Sequence, residues 1–168
     1  MAVEITDYVD VPDRMSQLGC AVRDEITLLP ANFESAASAA EFVTAGTAPT
    51  IIKVLRQGGL HASVLQAGES GPGFIHNKSH DWVVPAIYIS AELLKTTPDL
   101  ISVAIDLIRD YAITLYRGVA DRKVIKAEFV VEQSEGHTYK RLSYEGDVEG
   151  MREIAQIARD ICGTDQGQ

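Results

Sequence analysis

The stretch that decides the fold is "DLISVAIDLIRDYAITLYRG", residues 99 to 118. Asp99, Ser102, Asp106, Arg109, Asp110 and Arg117 recur at three- and four-residue spacing, and nearly everything between them is apolar. That periodicity is helical, and so narrow a polar stripe predicts a long amphipathic helix buried over most of its circumference. The three charges at Asp106, Arg109 and Asp110 exclude a membrane-spanning reading of this apolar run. A helix of this kind sits at the centre of a core, or packs on a partner as well as on its own chain.

Outward from the helix toward the C-terminus, "VIKAEFVVEQ" (124–133) and "HTYKRLSYEG" (137–146) flank the short turn "SEG". Gly136 in the short turn between them predicts a β-hairpin. "DVEGMREIAQIARDICG" (147–163) then returns to helical spacing. Asp147 is placed to cap it, and Val148, Met151, Ile154, Ala155, Ala158, Ile161 and Cys162 trace its apolar face.

Toward the N-terminus, "AELLKTTPD" reads as a short helix and "WVVPAIYIS" (82–90) as a strand. Pro85 lacks an amide donor, so this strand lies at an edge or is broken by a bulge. "LHASVLQ" and "CAVRDEITLLP" read as two more strands. "TAPTIIKVLRQGG" predicts a helix with Thr47 or Thr50 as cap, Pro49 early in it, and Gly58-Gly59 as its stop. "NFESAASAAEFVTAG" (32–46), rich in good helix formers, predicts a further helix, and residues 1–19 a strand or arm with an irregular turn. Helices are grouped rather than alternating strictly with strands. The fold class is therefore α+β, a mixed or antiparallel sheet of about five strands packed by helices. The alternative is a doubly wound α/β arrangement of the first half. Residues 1–163 read as one domain and 164–168 as a frayed polar tail.

Composition sets the outer limits. The chain has 168 residues, enough to hide roughly 70% of its unfolded surface without covalent staples. A net charge of −9 argues against general nucleic-acid binding and against docking on an anionic membrane. Cys20 and Cys162 form no C-x-x-C pair and no zinc spacing, so they read as small buried apolar residues in a reducing cytoplasm. The first residues carry acids and no apolar signal-peptide core.

The chemistry-bearing stretch is "GESGPGFIHNKSHDWVVP", residues 68–85. Gly68 and Gly73 have P-loop spacing, but Phe74-Ile75 stands where Lys-Ser/Thr is required and no helix follows. Pro72 occupies the last glycine of a nucleophile elbow. His76 and His80, with Asp81 or His61 nearby, fall short of the three or four ligands that zinc takes. No catalytic set, metal site or cofactor is therefore assigned. Gly and Pro here shape a long loop that Phe74, Ile75 and Trp82 anchor by burial. Within it His76, Asn77, Lys78, His80, Asp81 and Trp82 are the candidate binding residues, since long ordered loops on rigid sheets often carry recognition. His61 reads as an ordinary half-buried histidine, His137 as solvated, and Tyr111 and Tyr116 as core residues.

The second half has a recognisable layout: the long helix, the basic turn "ADRK" (120–123), the hairpin "VIKAEFVVEQSEGHTYKRLSYEG" (124–146) and the helix "DVEGMREIAQIARDI" (147–161). In that order it resembles the small effector-associated accessory domains of bacterial conflict systems. The resemblance implies a non-catalytic adaptor that pairs a sensor with an effector, and it assigns no residue a role. Two function classes follow. One is a non-enzymatic interaction module, binding another protein or a second copy of itself. The other is a small enzyme or ligand binder that uses the His76–Asp81 loop.

Overall fold

The computed structural model describes residues 2–21, 24–65, 73–75, 82–117, 124–133 and 138–162. Its fold is α+β, built on an open mixed sheet of seven strands. The expected hairpin is its centrepiece. β8 (Ile125–Glu132) and β9 (Tyr139–Gly146) run antiparallel in unbroken register from Ile125↔Gly146 to Glu132↔Tyr139. β1 (Ala2–Tyr8) adds antiparallel to the far side of β9. On the other side of β8 lies β7 (Ala86–Ile89), parallel to it, followed by β2 (Ile26–Leu29) and β4 (Ala62–Val64).

Each parallel pair is closed by a helical crossover, as geometry requires. α2 (Ala48–Gln57) joins β2 to β4. α3 (Ala91–Thr96) and α4 (Leu100–Leu115) join β7 to β8. Pro85 breaks the 82–90 strand, the second of the two alternatives open to it. β6 (Trp82–Val83) and β7 both pair with β8, so β7 lies inside the sheet rather than at its edge. A separate parallel pair, β3 (Val43–Ala45) with β5 (Gly73–Ile75), was not foreseen.

Alternation along β8 sends Ile125, Ala127, Phe129 and Val131 into the main core. α4 lies on that face, with Ile101, Ala104, Ile105, Ile108 and Ala112 buried. α2 and α5 (Arg152–Cys162) pack on it as well. Sheet and neighbouring helices thus cover most of the apolar surface of α4, while Leu115 in its last turn stays 45% exposed. One member of its expected polar stripe departs from the pattern. Arg109 is buried, facing the 3₁₀ turn Glu149–Met151, where it meets Glu149. Asp147 caps that turn as expected, its Oδ1 accepting from the Gly150 N–H at 2.9 Å.

The second face of the sheet has its own core. Leu29, Tyr88, Val130 and Tyr139 are covered there by α1 (Val11–Gln17) and by Phe33 and Phe42. The helix expected over 32–46 is replaced by turns, a 3₁₀ turn at Ala39–Glu41 and β3. Burial overrides propensity here, because Phe33, Ala36 and Phe42 all enter this core. Side chains then hold the non-helical path. Arg14 donates to the Phe33 and Ala36 carbonyls, and Asn32 bridges the Glu41 carbonyl and the Val43 N–H. α1 itself occupies what the sequence suggested was an irregular turn. Its signals are Asp10, which accepts from the Asp13 N–H, and Pro12 in the first turn.

Candidate functional site

Of the six candidate binding residues, Trp82 is described, whereas His76, Asn77, Lys78, His80 and Asp81 lie outside the described residues. β6 holds the Trp82 backbone against β8, its N–H donating to the Val124 carbonyl at 2.9 Å. The indole packs against Tyr111 of α4 and against Tyr116, which caps the end of that helix, with ring centroids 5.8 and 6.3 Å away. It is 8% exposed. Its surroundings make it an anchor between sheet and helix, and Tyr111 and Tyr116 are the aromatic side of that joint. Val84 continues the attachment, its N–H donating to the Lys126 carbonyl at 2.8 Å.

The charged residues that the structure does bring together lie on the second face of the sheet, beyond the edge of its apolar cover. Alternation puts Lys126, Glu128 and Glu132 of β8 on this face, with Tyr139, Arg141, Ser143 and Glu145 of β9 and Glu4, Thr6 and Tyr8 of β1. Strand register arranges them in rows. Glu145 pairs with Lys126. Ser143 sits between Glu4 and Glu128, and Arg141 between Thr6 and Val130. Neighbouring strands lie about 4.8 Å apart, so each row is a short ladder of side chains.

Arg141 organises the cluster. Its Nη1 lies 3.2 Å from Glu34 Oε1, and its Nε lies 3.2 Å from Thr6 Oγ1 and 3.5 Å from Glu128 Oε2. The guanidinium carbon stands 5.7 Å from the centroid of the Tyr8 ring, in cation–π range. Beside it Glu4, Val83, Lys126, Glu128, Ser143 and Glu145 border an open cavity of about 390 Å³. Partial burial pushes the Glu128 carboxyl above its ordinary range, against the pull of Arg141, and the nearby Glu34 adds to the rise. Burial, then Glu34 and Glu128, likewise hold the Tyr8 phenol protonated well beyond its usual range.

A second polar group lies one row further along. Tyr139 donates to Glu132 Oε2 at 3.2 Å, and Glu132 Oε1 accepts from the Ala91 N–H at 3.0 Å, tying β8 to the start of α3. Tyr88, 4% exposed, packs at a tilt against Tyr139, and among the described residues its hydroxyl has no hydrogen-bond partner. Burial, Glu132 and Asp10 raise the Tyr139 phenol, and burial leads the rise at Tyr88.

Four carboxylates, Glu4, Glu34, Glu128 and Glu145, thus face two cations, Lys126 and Arg141, on one open surface. Such a surface can take up cationic groups from a partner. Among the described residues no group of three or more His, Cys, Asp and Glu stands close enough to hold a metal ion. Nor is any described helix long and apolar enough to cross a membrane. The sequence signal for this face is the even spacing of Lys126, Glu128 and Glu132 and of Arg141 and Glu145, which puts those five charges on one side of the hairpin. Compared with family models, curated proteins and solved structures, the chain matches none.

Proposed function

We propose that the protein is a non-enzymatic interaction module of the cytoplasm, an adaptor of a bacterial conflict system, that grips a basic segment of another protein on the open half of its sheet. The observation that carries this is the row Glu4–Ser143–Glu128, in which a small residue separates two carboxylates on three adjacent strands. A small-molecule site is usually concave and largely apolar, with a few converging polar groups. This surface is open and lined by charge, which suits the polar contacts of a protein partner. The layout shared with effector-associated accessory domains supports the same reading.

Ser143→Arg tests it. The long cation fills the gap between Glu4 and Glu128 and cancels the local negative potential. The wild-type chain, immobilised and exposed to extract of its host cells, should retain a defined partner that mass spectrometry identifies. Ser143→Arg should lose that partner, and Lys53→Glu, on the exposed side of α2, should keep it. Equal retention by Ser143→Arg would remove this face from the interaction.

A further inference from the structure

The main sheet ends in β1 on one side and β4 on the other, and the two edges are built differently. β4 has three residues. β1 has seven, in unbroken register with β9 from Ala2↔Glu145 to Tyr8↔Tyr139. Sheet edges are usually blunted by shortness, by proline, by a bulge or by lysine on the strand. β1, "AVEITDY", is long and unbroken and carries no proline or lysine; its only charges are the two acids Glu4 and Asp7. Its one ion-paired acid, Asp7, reaches inward to Lys140 of β9. On the helix-bearing side of the strand Val3 packs against the core, but Ile5 is 50% exposed. Among the described residues nothing pairs with the outer edge of β1, which runs beside the half-exposed Ile5.

We infer that β1 pairs antiparallel with β1 of a second copy of the chain, about a twofold axis through Ile5, so that one sheet runs through both copies. The strand's own sequence selects this occupant and this register. With both helix layers on the same side of the joint sheet, side-chain alternation allows only residue pairs whose numbers have an even sum. An axis at Glu4 sets that carboxylate against its own copy, which is destabilising. An axis at Thr6 sets Ile5 against Asp7. An axis at Ile5 sets Ile5 on Ile5, Glu4 on Thr6 and Val3 on Asp7. It covers the isoleucine and leaves no two carboxylates opposite each other.

This pairing goes beyond the adaptor reading and rests on a different feature, the outer backbone edge of β1 with Ile5 on the opposite face of the sheet; Glu4 is the one residue the two share. Each copy carries a net charge of −9, so the two copies repel. Pairing through backbone and isoleucine should therefore tighten as salt screens that repulsion.

The experiment is light scattering coupled to size-exclusion chromatography over a concentration series, at low salt and at about 0.5 M salt. The wild type should move from 18.2 kDa to twice that mass, sooner at the higher salt. Ile5→Lys and Ile5→Glu should each stay at the single mass. Their equimolar mixture should regain the doubled mass, because Lys now faces Glu. Amide exchange over residues 2–8 of the wild type should slow with concentration, a readout that needs no variant. A wild type of single mass throughout, a doubled mass that survives Ile5→Lys, or amide exchange at 2–8 that ignores concentration would each overturn the inference.

Discussion

Leu107 of α4 occupies the space that a side chain at position 58 would need. A Cβ on Gly58 would fall well inside contact distance of both Leu107 Cδ1 and Cδ2. Gly58 closes α2 with an ordinary φ of −82°, so its backbone does not require glycine; the approach of α4 does. Gly59 is the reverse case, with φ of +89° and nothing within 4 Å of a Cβ. Gly58→Ala should cost about 1–3 kcal/mol by overpacking. Combined with Leu107→Ala, it should cost less than the sum of the two, by at least ~0.5 kcal/mol. Gly59→Ala should cost about 1 kcal/mol through its backbone and show no such coupling. Urea denaturation of the five variants, single and double, separates the two glycines.

Trp82 joins β6 to α4 through Tyr111 and Tyr116. Trp82→Ala should cost about 3–5 kcal/mol, the usual range for a buried aromatic. Far-UV circular dichroism in a denaturant series gives the value without relying on the lost fluorophore. A loss below ~1 kcal/mol would mean that the indole bears little of the packing load.

Arg109 is 8% exposed, its Nη2 lies 2.8 Å from Glu149 Oε2, and its Nε is buried without a partner. Removing one member of such a pair costs more than removing the buried charge itself. Glu149→Ala should lose about 1–3 kcal/mol, because the guanidinium keeps only Asp110, 3.9 Å from its Nη1. Arg109→Met should stay within ~1 kcal/mol of the wild type, since it also relieves the orphaned Nε. The opposite ranking in thermal or chemical melts would show that the ion pair is a net source of stability.

Four of the six tyrosines are held protonated by burial. For Tyr144 burial is followed by Asp147 and Glu153, and its phenol is pushed up to about 12. Tyr8, Tyr88 and Tyr139 are raised as well. With Tyr8, Tyr88, Tyr139 and Tyr144 kept protonated, the phenolate absorbance of the folded chain at about pH 10.5 should fall well short of its value in denaturant. A phenol with a raised folded pKa binds its proton more tightly when folded. Stability is therefore kept below the ordinary phenol value and lost as pH climbs above ~10. Folded protein that shows the full phenolate signal at that pH would refute the burial of these rings.

Local pattern alone determined a good part of this protein. The helical spacing of 99–118, the two strands of the hairpin, Asp147 as a cap and Pro85 as a break are all found where the residues placed them. Each depends on neighbours a few positions apart, whose geometry the chain repeats wherever it goes. Tertiary structure decided the rest. Residues 32–46 carry alanines and serines that favour a helix, yet Phe33, Ala36 and Phe42 gain more by entering the core beside α1. Arg109 left the polar stripe because the turn at Glu149 closes over it. The sheet order, with β1 beside β9 and β7 between β8 and β2, pairs segments far apart in the chain. The charged face follows from that order, because Glu4, Glu34, Glu128 and Arg141 come from four separate segments. Periodicity tells a strand which residues share a side, but only pairing in three dimensions tells it which other strand it will share that side with.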